Sequence, residues 1–148
     1  MDPFQLDILS RTLAGMLVAF ALSLPVAWDR ERGDRSAGLR TFPLVATAAA
    51  GYVLLAQAVF PGEARAQARV LEGVITGVGF LGGGAILKGD TYVRGTATAA
   101  SIWATAGIGA AAGYGRYEIA IVLSILSLIT LRALRVLKDE SSERESSH

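Results

Sequence analysis

Five apolar stretches separated by short polar segments organise the chain. They run over residues 8–28, 42–60, 70–87, 95–113 and 114–135. Each has roughly the 17–25 residues an α-helix needs to cross the hydrocarbon core of a bilayer. Helices of a soluble bundle would carry a polar outer face. The second and fourth stretches hold no charged residue at all. The pattern therefore predicts an all-α integral membrane bundle of five transmembrane helices, one domain over 1–137. Residues 138–148 read as a polar tail of mixed charge that frays into disorder.

Loop charges orient the bundle. Arg30, Arg32, Arg35, Arg40, Lys88, Arg94, Arg132, Arg135, Lys138 and Arg144 fall on one side. Arg11, Arg65, Arg69 and Arg116 fall on the other. Ten basic residues against four place the N-terminus outside and the C-terminus in the cytoplasm. The start does not read as a cleaved leader: Asp2 and Asp7 are its charged residues, and a signal peptide needs a positive beginning. The first stretch is read as a retained span.

The stretches differ in texture. The fifth (Ile119-Ala-Ile-Val-Leu-Ser-Ile-Leu-Ser-Leu-Ile) is bulky and suits lipid. The fourth is built almost wholly of Ala, Gly, Thr and Ser, which gain little from lipid tails but let neighbouring helices approach. It is placed at the centre of the bundle, beside the third. Small residues recur four apart at Gly73/Gly77, Gly79/Gly83 and Gly109/Gly113, the spacing of close helix crossing. The third stretch ends in Gly77-Val-Gly-Phe-Leu-Gly-Gly-Gly-Ala-Ile-Leu87. Its glycines Gly77, Gly79, Gly82, Gly83 and Gly84 admit two readings. They form a helical packing face, or they break the helix and expose carbonyls to an ion, as in carriers with discontinuous helices.

Composition narrows the chemistry. Cysteine is absent, which excludes disulfides and thiolate metal sites, and the single histidine is the terminal His148. No nucleophile–base pair is visible, so the chain is not expected to be an enzyme. A net charge of +1 gives no pull toward nucleic acid. Gly77-x-Gly79-x-x-Gly82 matches a dinucleotide fingerprint only in form. The acidic residue due about 20 positions later is missing, for Ser101, Ile102 and Trp103 stand there.

Charges near the spans form two groups. Arg11, Glu72 and Glu118 lie toward the outer face, where they pair with one another or snorkel to water. On the inner side Asp29, Glu31, Arg40, Thr41, Lys88 and Arg94 gather at span ends, with Thr96 and Thr98 opening the fourth span. The two threonines would cap or line that helix end. Asp29, Glu31 and Asp90 would be the ligands of any cation there.

These residues carry a resemblance. Arg35-Ser-Ala-Gly-Leu-Arg-Thr41, Gly77 to Lys88, and Val93-Arg-Gly-Thr-Ala-Thr-Ala-Ala-Ser-Ile-Trp-Ala-Thr-Ala-Gly-Ile-Gly109 resemble the signature of the MgtC/SapB family of bacterial inner-membrane proteins. Asp29-Arg-Glu31 resembles the family's acidic Glu-Arg-Glu. Asp29, Pro25 and Ala97 depart from the usual residues. The match covers roughly residues 10–120 of the chain. Family members tied to virulence carry a C-terminal cytoplasmic domain, and the chain reads as a short form without it. The resemblance implies a multi-pass protein of the bacterial cytoplasmic membrane, a link to magnesium homeostasis, and membrane-protein partners such as the F-type ATP synthase. A homo-oligomer is expected, and no cofactor; Mg²⁺ is the ion the resemblance raises. Mg²⁺ favours carboxylates with retained waters, and no acidic residue sits at mid-depth in any span. The expected function is therefore binding or regulation of membrane partners. An oligomeric Mg²⁺ or solute carrier using the third span is the alternative.

Overall fold

The computed structural model describes residues 3–32, 37–88 and 92–145. The protein is all-α, with five helices among the described residues. Helix α1 spans Pro3–Glu31, α2 Thr41–Val59, α3 Ala64–Gly84, α4 Thr96–Gly113 and α5 Tyr117–Glu145. Between α3 and α4 sits a two-stranded antiparallel ribbon, β1 (Leu87–Lys88) and β2 (Val93–Arg94). Leu87 faces Arg94 across it, and Lys88 faces Val93. Among the described residues α1 (over Gln5–Glu31) and α2 are long and apolar enough to cross a membrane on their own.

Local chemistry sets the helix ends. Pro43 lies in the first turn of α2, where a missing N–H costs nothing. Gly62, in the turn before α3, takes a positive φ of 79°. The end of α4 is a Schellman turn: Arg116 N–H donates to the Ala111 carbonyl at 2.8 Å and Gly115 N–H to that of Ala112 at 3.0 Å. Gly115 supplies the left-handed φ of 70° that this turn requires. That turn starts α5 at Tyr117, three residues after the 114 expected from hydropathy. Gly95 precedes α4 at φ 91°, and a side chain there would overlap the carbonyl oxygen of Ala85.

Three further boundaries differ from the sequence reading. Helix α3 begins at Ala64 rather than 70, because Ala, Arg and Gln favour a helix whatever their hydropathy. It ends at Gly84 rather than 87: Ala85 and Ile86 N–H groups turn back to the carbonyls of Gly82 and Gly83, and the chain enters β1. Residues 138–145, expected to be disordered, continue α5, since Lys, Glu and Arg are good helix formers. Residues 146–148 lie outside the described part.

Helix α4 is the hub. It packs against each of the other four helices, and eleven of its eighteen residues are buried. The central placement expected from its small residues is what the structure has. Its closest approach is to α2. A side chain at Gly109 would overlap the carbonyl oxygen of Ala46, and one at Gly113 would come within 2.8 Å of the Ala50 oxygen and 2.9 Å of Val53. The core is correspondingly fine-grained. One cluster joins Val26, Phe42, Val45, Val78, Ile102 and Ala106. A second joins Ala19, Ala46, Ala50, Ile108, Ala112 and Ala120. Cross-helix hydrogen bonds pin the layers: Ser124 Oγ donates to the Leu22 carbonyl at 2.7 Å, and Gln57 Nε2 to that of Gly113 at 2.9 Å.

Candidate functional site

Two features stand out from this scaffold: a buried charge cluster at one end, and a third helix left largely uncovered.

The charge cluster forms where α1 ends. The inner stripe of α1 runs Ala19, Ser23, Val26, Ala27 and Arg30, at helical spacing. It carries Arg30 into the core, where its side chain is only 2% exposed. Arg30 Nη2 donates to Asp29 Oδ2 at 2.9 Å. Among the described residues its Nε and Nη1 are buried without a partner. Asp29, also buried, accepts a further bond from Arg132 Nε on α5 at 3.4 Å. The pair thus ties the end of α1 to α5. An isolated charge in such a place is costly, and pairing is what makes it tolerable. Sequence reasoning counted Arg30 as a loop cation and passed over Arg132 as a site residue.

The other residues expected at this end divide by exposure. Glu31 is exposed, and its Oε2 accepts the Leu39 N–H at 2.9 Å. Arg40 is exposed at the start of α2, and Thr41 is half-buried beside it. Lys88 and Arg94 point outward from the ribbon, with Arg94 stacked 5.2 Å from the Tyr92 ring. Thr96 is exposed, while Thr98 is buried at 1% exposure. Neither threonine caps α4, for the capping residue is Gly95 and no side chain serves. Arg35 and Asp90 lie outside the described residues.

Among the described residues this end offers no cation site. Asp29 is held between two guanidinium groups and Glu31 is engaged by a backbone amide. Among the described residues no three acidic or imidazole groups converge. Mg²⁺ wants free carboxylates with room for its waters, so these residues do not fit it.

Toward the other end, Arg11 pairs with Asp7 at 3.0 Å and Arg116 with Glu118 at 2.5 Å. Arg11 and Glu118 thus pair with neighbours in sequence rather than with each other or with Glu72. Glu72 stands exposed on α3.

Helix α3 is continuous through Gly82, Gly83 and Gly84. The glycine run therefore does not interrupt the helix but closes it at Gly84. Nor is it a packing face within the chain, apart from one position. Gly82 meets Ala99 of α4, with 3.2 Å between its notional Cβ and the Ala99 oxygen. At Gly73, Gly77, Gly79, Gly83 and Gly84 no atom of the described residues lies within 4 Å of a notional Cβ. Only Val78 and Gly82 of this helix are buried. At 3.6 residues per turn its open positions fall on two sides. Gly73 and Gly77 line a trough against α2. Glu72, Thr76, Gly79 and Gly83 lie within about 60° of one another on the far side.

Fold and site together define an all-α bundle with two candidate membrane-spanning helices, closed at one end by a buried ion pair and open along α3. The chain belongs to the MgtC family, whose model matches residues 16–140. It is 36% identical over 135 residues to Protein MgtC of Salmonella typhimurium, an alignment covering 91% of this chain and 54% of that protein. It is also 36% identical over 153 residues to Protein SrpB of Synechococcus elongatus, covering 92% of this chain and 79% of that one. Protein MgtC of Brucella abortus is 36% identical over 129 residues, 87% of this chain and 53% of the relative. The chain thus spans about half the length of the MgtC relatives it matches. No solved structure matches it.

Proposed function

We propose that this chain is a five-span protein of the bacterial cytoplasmic membrane, N-terminus outside, that acts by binding a membrane partner through the far face of α3. The observation that carries the reading is the open side of that helix. Glu72, Thr76, Gly79 and Gly83 share one exposed face with no atom near either glycine. Lipid tails gain little from such a surface, whereas a second helix packs on it closely and satisfies its polar groups. The partner is a second copy of the chain or another membrane protein, among which the F-type ATP synthase is raised by family resemblance. A link to magnesium homeostasis follows the family. The role is regulatory rather than enzymatic. Transport by an ion path along α3 is disfavoured by the continuous helix and by the arginine-bound state of Asp29.

The test is cysteine cross-linking in native membranes with Phe80→Cys, which stands 84% exposed on α3. A specific adduct is expected, and Gly79→Leu with Gly83→Leu should cut its yield about tenfold, by removing close approach worth about 1.4 kcal/mol or more. The bundle itself should tolerate both changes, since each glycine faces open space. Robust Mg²⁺ flux in proteoliposomes, lost in Gly83→Leu, would instead establish the carrier.

A further inference from the structure

The trough between α2 and α3 has a polar mouth. At the start of α3 a cavity of about 500 Å³ is lined by Phe60, Glu63, Arg65, Ala66, Arg69 and Val70. A second, of about 570 Å³, adjoins it at Val70 and continues along the helices. Its walls include Val45, Ala49 and Tyr52 of α2 and Val74 and Leu81 of α3. Its floor is opened by Gly73 and Gly77, where no atom lies within 4 Å of a notional side chain. From Val70 to Leu81 the trough runs about 16 Å at 1.5 Å per residue. That is close to half of a hydrocarbon core about 30 Å thick, or one leaflet.

The charges at the mouth are distinctive. Arg65 and Arg69 stand one helical turn apart on the same side of α3, both exposed. Of the four basic residues at this end, Arg11 and Arg116 each pair with a carboxylate. Among the described residues Arg65 and Arg69 pair with none, although Glu63 shares the rim. Two lining guanidinium groups against one lining carboxylate make the lining of the mouth positive above an apolar channel one leaflet deep, with Glu72 of the partner face one turn beyond Arg69. Guanidinium forks match phosphate oxygens bidentately.

We propose that this trough is a binding site for an anionic phospholipid. Its phosphodiester is held by Arg65 and Arg69, and one acyl chain lies over Gly73 and Gly77. The site rests on the membrane placement proposed above, which puts it in the outer leaflet. Its apolar channel lies across α3 from Gly79 and Gly83, while Arg65 and Arg69 border the partner face. A single-headed amphiphile matches both the charge and the length.

The experiment is native mass spectrometry of the full chain released from detergent, with phosphatidylglycerol or phosphatidylcholine added, beside a liposome flotation assay. Flotation with preferential retention of phosphatidylglycerol is expected. Arg65→Gln with Arg69→Gln should lower that preference about tenfold, the scale of one or two lost charge-assisted bonds. Gly77→Phe should fill the channel and reduce retention of both lipids. Millimolar inorganic phosphate should not displace the lipid; displacement would mean a free-anion site and overturn the proposal. Flotation with equal retention of the two lipids, or with no effect of the arginine variants, overturns the lipid site alone. Failure to float overturns the membrane placement and the lipid site with it.

Discussion

Asp29→Ala is expected to destabilise the bundle by about 3–5 kcal/mol, the cost of leaving a buried charge without its partner. Arg30 is 2% exposed, and Asp29 is the carboxylate at 2.9 Å from it. Removing that carboxylate strands a guanidinium that already has two buried nitrogens unpartnered among the described residues. The measurement is loss of helical signal on titrating detergent-solubilised protein with a denaturing detergent. Arg132→Ala serves as the contrast. Its side chain is 56% exposed and 3.4 Å from Asp29, so its loss should cost less than about 1 kcal/mol. Replacing the pair together, as Asp29→Leu with Arg30→Met, should restore most of the stability, because an apolar pair needs no desolvation. If Asp29→Ala behaves like Arg132→Ala, the buried pair is not what ties the inner end together.

The second large effect concerns Gly109. Leucine there must displace the backbone of α2, since even a Cβ overlaps the Ala46 oxygen. Overpacking a well-filled core costs about 1–3 kcal/mol, occasionally more. A clash with backbone, on the helix that touches all others, places Gly109→Leu at about 3 kcal/mol or above. Gly79→Leu provides the comparison within the same protein. It faces open space, and exchanging glycine for a good helix former is worth up to about 1 kcal/mol in stability. The same denaturation assay should thus give opposite signs for the two substitutions. Equal destabilisation would mean that α3 is packed as α4 is.

That contrast also marks how far the sequence could be read. Gly73/Gly77, Gly79/Gly83 and Gly109/Gly113 share one spacing. Spacing shows that a helix can be approached closely, but not which helix does so. Helix α4 is small all round and had to lie inside, so its position was legible. Helix α3 sets Val70, Val74 and Val78 on one face and Glu72, Thr76, Gly79 and Gly83 on the opposite one, and spacing did not tell that the second face stays uncovered. Arg30 was hidden by its neighbours, for a run of Asp, Arg and Glu reads as a polar loop. The signal was nevertheless present: Arg30 continues the stripe through Ser23, Val26 and Ala27 at intervals of three and four. The ribbon was missed because Leu87 extends an apolar run. Its cue was a Gly-Asp pair at 89–90 between Leu87-Lys88 and the β-formers Tyr92 and Val93.

The unequal hydropathy of the helices bears on how such a bundle is made. The two that are long and apolar enough to cross a membrane, α1 and α2, also precede the other three in the chain. Helix α4, rich in glycine, alanine and threonine, gains little from lipid and much from the surface of Ala46, Ala50 and Val53. If the chain inserts as proposed above, its biogenesis is templated: the leading hairpin is committed first, and the central helix is recruited against it rather than inserted on its own account. A lesion in α2 at those contacts would then appear as a topological defect in the nascent chain, before any mature protein exists to be unstable.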